Sequence, residues 1–403
     1  MLKKKEKGSI RFLIFIITLY VSTLYFSYLS LTGSNFSNEI STDSYIVVTL
    51  IVDAVAIGFV LLNLRGKNRL KFIPIIVPLL LVLLYYFEDG VTTWMFNSFI
   101  AFSLPCCYIG TSMGVDKSIN KLSKWLELIM LFVTLAVIVS MPYVIFARTR
   151  DFEYQTYSYY CGFAYSINLF FLLNGKDFDR FKFFRNKLYD FISVVLLVVQ
   201  AGCCLMAGGR GGFVLVIVAT VAFLLISKRI KIGQLLFIAA LFIAIVSILP
   251  SEFTDSISLG SERTFSFLQG GKIDLGAASN RDEVYNKAIN LISERPILGY
   301  GIFGYALYNK STPHNIILEV MLQGGLIYSL FFWSFMAYII IKMRKVIMAD
   351  KSNRLLLAIG IWPTVELFFS SSYMMFGLFW FVVAYIFVYD LKRGDKTPIL
   401  HTL

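Results

Sequence analysis

The chain has 403 residues, 58% hydrophobic and only 15% charged, too apolar for a soluble protein, in which about a quarter of residues are charged. That composition indicates a polytopic membrane protein, and 16% aromatic content suits helices with Tyr and Trp at the interfaces. The net charge of +12 would suggest nucleic acid in a soluble chain; here it concerns which membrane side the cations occupy, and nucleic acid is set aside as a partner.

The N-terminus, MLKKKEKGSIRFLIFIITLYVSTLYFSYLSL, has the basic start of a signal peptide. Its apolar run is longer than about 20 residues and lacks a small-residue cleavage site, so it reads as the first membrane helix. Spans are predicted near 10 to 31, 45 to 64, 72 to 87, 93 to 113, 125 to 147, 158 to 174, 189 to 207, 212 to 227, 232 to 250, 313 to 341, 355 to 371 and 373 to 390. The expected fold is all-α: about 12 transmembrane helices in the bilayer, with residues 1–403 forming one membrane domain.

Loop charge tests this topology. With both termini cytoplasmic, all but nine of the 37 Lys and Arg fall on the cytoplasmic side, as the orientation rule requires. The nine exceptions are Arg148, Arg150, Arg210, Arg263, Lys272, Arg281, Lys287, Arg295 and Lys310. Cations on the translocated side oppose that rule, so the arginines among them are better functional candidates than the cytoplasmic ones. Cys106, Cys107, Cys161, Cys203 and Cys204 lie in or beside apolar segments with no metal-site spacing, and are expected to be small buried residues.

Residues 251–312 form the only long loop, on the outer side. Its first part is rich in Ser, Gly and Thr and weakly periodic. Ser279 then opens an amphipathic helix in which Val284, Tyr285, Ala288, Ile289, Leu291 and Ile292 recur at helical spacing until Arg295-Pro296 ends it. Such a helix is expected to lie on the membrane surface or on the bundle.

Several residues could carry chemistry. His314 follows Thr312-Pro313, a cap-and-proline start that predicts an imidazole in the first turn of the tenth span, able to accept a proton. The other histidine, His401, falls in the cytoplasmic tail. Arg210 sits in Gly208-Gly209-Arg210-Gly211-Gly212. This is either an anion site built from glycine amides and a guanidinium, or a tight turn with a snorkelling arginine. Arg281 is a cation in the first turn of the loop helix, unfavourable for the dipole unless an anion is shared there; a solvated surface arginine is the other reading. Gly299, Gly301 and Gly304 match the dinucleotide pattern but follow a helix that ends in proline, so they are expected to shape the turn leading back to His314. Asp53, Glu319 and Glu366 are acidic residues inside spans, where a cavity or an outer arginine such as Arg148 or Arg150 is the expected partner.

Together, Gly209-Arg210-Gly211, Asn280-Arg281 through Arg295-Pro296-Ile297-Leu298-Gly299-Tyr300-Gly301, and Pro313-His314-Asn315 followed by Leu318-Glu319 and Gly324-Gly325 resemble the bacterial O-antigen polymerase and O-antigen ligase superfamily. The resemblance implies an enzyme of the bacterial cytoplasmic membrane that works at the outer face on undecaprenyl-diphosphate-linked oligosaccharides, as donor and, in a polymerase, also as acceptor. It implies that Arg210 and Arg281 hold the donor diphosphate and that His314 serves the acceptor hydroxyl; Glu319, Arg148, Arg150, Glu366 and Asp53 are secondary candidates from their placement in the chain. It also implies flippase and chain-length regulator proteins as partners. Two guanidiniums can stabilise a diphosphate leaving group, and the outer loops carry no acidic cluster suited to Mg²⁺, so neither metal nor cofactor is expected.

Polymerase is preferred to ligase because it serves capsule and exopolysaccharide as well as O-antigen synthesis. A transporter of lipid-linked sugars is the competing class. It would place basic residues inside the spans and show repeat symmetry.

Overall fold

The computed structural model describes residues 2–32, 42–63, 99–146, 154–227, 281–301, 303–308 and 312–391, and every regular element among them is helical. In chain order these are α1 (Leu2–Leu19), α2 (Val21–Thr32), α3 (Thr42–Asn63), α4 (Leu104–Asp116, led in by a π turn), α5 (Ser123–Phe146), α6 (Tyr154–Asn174), α7 (Lys187–Ala207), α8 (Arg210–Ser227), α9 (Arg281–Glu294), α10 (Ile316–Ala349), α11 (Leu355–Glu366) and α12 (Gly377–Val388). The protein is an all-helical polytopic membrane protein. The predicted spans near 72 to 87 and 232 to 250, the outer loop up to residue 280, and Arg148 and Arg150 lie outside the described residues.

Every other predicted span falls on a helix, with differences in form. The first is a bent pair, α1 and α2 turning by 78° at Tyr20. Among the described residues four stretches are long and apolar enough to cross a membrane unbroken, or five if the bent pair is one span. The predicted spans near 355 to 371 and 373 to 390 are shorter as helices, because the chain from Leu367 to Phe376 is a turn rather than helix.

Small residues set the closest packing. A Cβ on Gly110 would lie 2.3 Å from the Phe381 carbonyl oxygen and one on Gly114 2.6 Å from that of Tyr385, so α4 and α12 run side by side with backbones almost touching. Dispersion between close backbones is the main attraction available to helices in lipid, where burial from water is no longer gained. All five cysteines are buried and free, as expected.

Contacts between helix ends group into two sets, one at each end of the bundle. At one end Arg11 meets Asp116 at 3.0 Å, Arg354 meets Asp177 at 4.0 Å, and Lys117 lies over the Tyr389 ring. The opposite end holds the segment after α9, His314 and the 367–376 turn, joined by bonds such as Ile316 N–H to the Leu367 carbonyl.

The cationic end also hides a pair that the loop charge count does not reveal. Arg180 folds inward so that its Nε donates to Glu127 at 3.0 Å and a second guanidinium nitrogen donates to the other carboxylate oxygen. Both are buried, Glu127 completely. Two-point charge-assisted bonding compensates the desolvation of each group, so removing one partner strands the other. Arg180→Met should therefore cost about 3–5 kcal/mol, read as a lower Tm in detergent, while Arg180→Met with Glu127→Leu should recover most of it. Equal Tm values for the single variant and the wild type would contradict this.

Candidate functional site

α10 is not one continuous helix. Gly324 (φ −139°, ψ 16°) and Gly325 (φ 57°, ψ −156°) leave helical geometry, freeing backbone groups on both sides of the break. Inside an apolar bundle such groups must find protein partners. The segment after α9 supplies them. Tyr300 N–H donates to the Leu322 carbonyl at 2.8 Å and Gly301 N–H to that of Gln323 at 2.7 Å, while Leu326 N–H donates to the Pro296 carbonyl at 2.8 Å and Ile327 N–H to that of Ile297 at 3.3 Å.

Glycine is required on both faces of this seam. Gly299 (φ 64°) and Gly325 both adopt left-handed backbone, and a Cβ would lie 2.6 Å from the Leu322 oxygen at the first and 2.3 Å from the Ile297 carbonyl carbon at the second. The glycines therefore do more than turn the loop toward His314, as the sequence suggests: they press it against the broken helix. α9 packs on α10 beside the seam, burying Ala288 and Leu291, whereas Ile289, predicted on the same face, is 52% exposed. Ser279, the predicted cap, lies outside the described residues.

His314 stands just before α10, not in its first turn. Asn315 is the cap, its side chain accepting from Ile317 N–H at 2.9 Å and Leu318 N–H at 3.3 Å. The predicted Thr312-Pro313 start is displaced because the Asn315 amide oxygen reaches two orphan amides, and His314 is turned into left-handed backbone at φ 52°, a conformation uncommon outside glycine, asparagine and aspartate. The half-buried imidazole is anchored through Nδ1, which donates to the Ser370 carbonyl, with the Thr312 hydroxyl 3.3 Å from the same nitrogen. A carbonyl can only accept, so in the neutral ring Nε2 is left as the acceptor.

Glu319 has a different task. Its buried carboxylate receives the Tyr305 hydroxyl at 3.1 Å, the Gln323 amide at 3.3 Å, the Ser372 hydroxyl and the Tyr373 N–H. It ties the loop, the first half of α10 and the 367–376 turn together, which suits a support for His314 better than contact with a ligand.

Arg210 is the first residue of α8 and half-buried, directly after Gly208 caps α7 in left-handed geometry. α8 starts tight against α6: a Cβ on Gly211 would lie 1.9 Å from the Tyr159 hydroxyl and one on Gly212 2.2 Å from the Ser158 carbonyl oxygen. The same end of α6 meets the turn that holds His314, with the Gln155 amide 3.4 Å from the Phe369 carbonyl. Arg210 and His314 thus lie at one end of the bundle, flanking the start of α6. Arg281 opens α9.

The expected pairing of intramembrane acids with arginines is not seen among the described residues. Asp53 is buried in α3 without a hydrogen-bond partner there, and Glu366 takes the indole N–H of Trp362. Arg148 and Arg150, named as expected partners, lie outside the described residues; α3 packs on α1 and α4, and Glu366 ends α11 among aromatic residues. Ser370 and Tyr305 were not singled out from sequence. The run Ser370-Ser371-Ser372 inside an apolar stretch was the available signal.

A family model described as O-antigen ligase matches residues 194–333, a stretch that contains Arg210, the α9 helix, the seam and His314. The match covers about a third of the chain and supports the resemblance to the O-antigen polymerase and ligase superfamily. The activity that this family suggests is glycosyl transfer by a membrane enzyme. No curated protein and no solved structure matches the chain.

The seam gives a direct test. Gly325→Ala adds a methyl group against Ile297 and strains a left-handed backbone, at a cost of about 1–3 kcal/mol. Amide exchange at Tyr300 and Gly301 should rise roughly tenfold or more. Unchanged protection of peptides spanning 297–303 would show that the loop does not depend on the break.

Proposed function

We propose that this enzyme is a polymerase that joins oligosaccharide repeat units carried on undecaprenyl diphosphate, at the outer face of the bacterial cytoplasmic membrane, with both termini cytoplasmic. The observation that carries the reading is the anchoring of His314 by the Ser370 carbonyl, beside the α6 start against which Gly211 and Gly212, next to Arg210 in the chain, also pack.

In this mechanism His314 Nε2 takes the proton of an acceptor sugar hydroxyl as its oxygen attacks the anomeric carbon of the donor. The new glycosidic bond forms as the bond to the diphosphate breaks from the opposite side, so configuration inverts. The departing diphosphate keeps the bonding pair, and its charge is met by the Arg210 guanidinium, the amides at the start of α8, and Arg281 at the start of α9. Two guanidiniums and two helix N-termini make the transfer independent of metal in this reading. The α10 break and Glu319 hold the base in place.

Ligase activity, passing the finished glycan to lipid A core, uses the same donor chemistry. Polymerase is chosen because it serves a wider range of surface polysaccharides. Reconstitution with a lipid-linked repeat unit separates the readings: a product ladder, unaffected by chelator, is expected. Single transfer to lipid A core would indicate a ligase, and movement of the lipid without new bonds a transporter. Arg210→Ala should lower donor turnover by roughly 10²-fold, the scale of losing one charge-stabilising contact, in protein that still inserts and folds. Wild-type turnover would remove Arg210 from the diphosphate site.

A further inference from the structure

The 78° bend between α1 and α2 keeps their backbones from closing on the outer ends of α4, α6, α11 and α12, and a cavity of about 280 Å³ remains there. That is near the lower end of ligand-pocket sizes, room for one small ring rather than a chain of several. Its wall is mixed. Tyr160, Trp362 and Phe376 supply aromatic surface, Thr23 and Ser371 supply hydroxyls, and Glu366 is its one carboxylate; no lysine, arginine or histidine lines it among the described residues.

We propose that this cavity is a subsite for a single neutral pyranose of the acceptor glycan, with Glu366 as its specificity-determining residue. The proposal rests on the glycosyl-transfer reading above. A sugar ring presents apolar C–H faces and a rim of hydroxyls, which this wall matches with aromatic rings and acceptor oxygens. The Trp362 indole N–H occupies one Glu366 oxygen, Oε2, fixing the carboxylate and leaving Oε1 to accept from a ligand hydroxyl. An acidic sugar or phosphate would lose its hydration there with no cation in the described wall to compensate. The diphosphate therefore belongs outside it.

The cavity is placed for an acceptor. Ser371 lines it, and the adjacent Ser370 carbonyl holds His314; Tyr159 also lines it, and Tyr159 packs on Gly211 beside Arg210. A ring seated there lies between the elements that carry the proton acceptor and the donor site, with the rest of the glycan leading outward.

Saturation-transfer NMR on the detergent-solubilised full chain tests this, with methyl glycosides of glucose, galactose, mannose and N-acetylglucosamine as neutral probes and methyl glucuronide as the acidic one. At least one neutral probe should bind, and the glucuronide at least tenfold more weakly. Glu366→Ala should reduce neutral binding tenfold or more. Glu366→Gln, which preserves shape, should keep part of the neutral binding and still reject the glucuronide. Absence of binding by any neutral probe, glucuronide binding equal to the neutral sugars in wild type, or Glu366→Ala binding the neutral sugars as wild type does would each overturn the proposal. Arg210→Ala should leave probe binding intact. Binding that follows this pattern in a protein making no glycosidic bonds would sink the polymerase reading and keep the cavity. Polymer formation with probe binding indifferent to Glu366 would do the reverse.

Discussion

A helix cut at Gly324 and Gly325 in a membrane protein frees amides and carbonyls from their helical partners, and the segment 296–301 pairs with them on both sides of the cut. Each such group left alone in hydrocarbon would cost several kcal/mol. The break and the loop therefore stabilise each other, and neither geometry is reasonable without its partner. Because α9 is covalently joined to one side of the seam, its position on α10 follows. So does the short first half of α10, Ile316 to Gln323, whose start carries Asn315 as its cap and His314 just ahead of it.

From that seam outward, each contact fixes the next. Glu319 gathers donors from Tyr305, Gln323, Ser372 and Tyr373, binding the first half of α10 to the turn after α11. The same turn provides the Ser370 carbonyl for His314 and reaches Gln155 on α6, and α6 in turn receives the glycine-rich start of α8. A cation and a proton acceptor separated by about a hundred residues thus share one end of the bundle. The opposite end is held by ion pairs, of which Arg180 with Glu127 is buried. One end is locked by charge, while the other spends its polar groups on backbone geometry around a cavity.

Much of this was legible in the sequence. Apolar runs located the helices, and the charge alternation is consistent with which loops meet in space, as Arg11 with Asp116 and Arg354 with Asp177 illustrate. The motif Gly209-Arg210-Gly211 marked the turn into the eighth span, whose helix starts two residues before the predicted 212, and Thr312-Pro313-His314-Asn315 marked the entry to α10, with the cap placed three residues early. Local patterns could not show that Asn315 outcompetes Thr312 as cap, since that depends on the backbone turn at His314 and its anchor 56 residues away. Gly324-Gly325 inside a hydrophobic run did not declare a break, because what stabilises the break comes from another segment. Arg180 read as one more cytoplasmic cation, for its burial depends on a carboxylate 53 residues earlier.

The central claim is that the anchored imidazole acts in bond formation and not in donor binding. His314→Asn is the apt variant, because asparagine tolerates left-handed backbone and removes the proton-accepting Nε2. Single-turnover transfer from a saturating lipid-diphosphate donor should fall by about 10²–10⁴ in rate with donor affinity near wild type. Transfer at the wild-type rate, or a loss confined to donor affinity, would contradict the account.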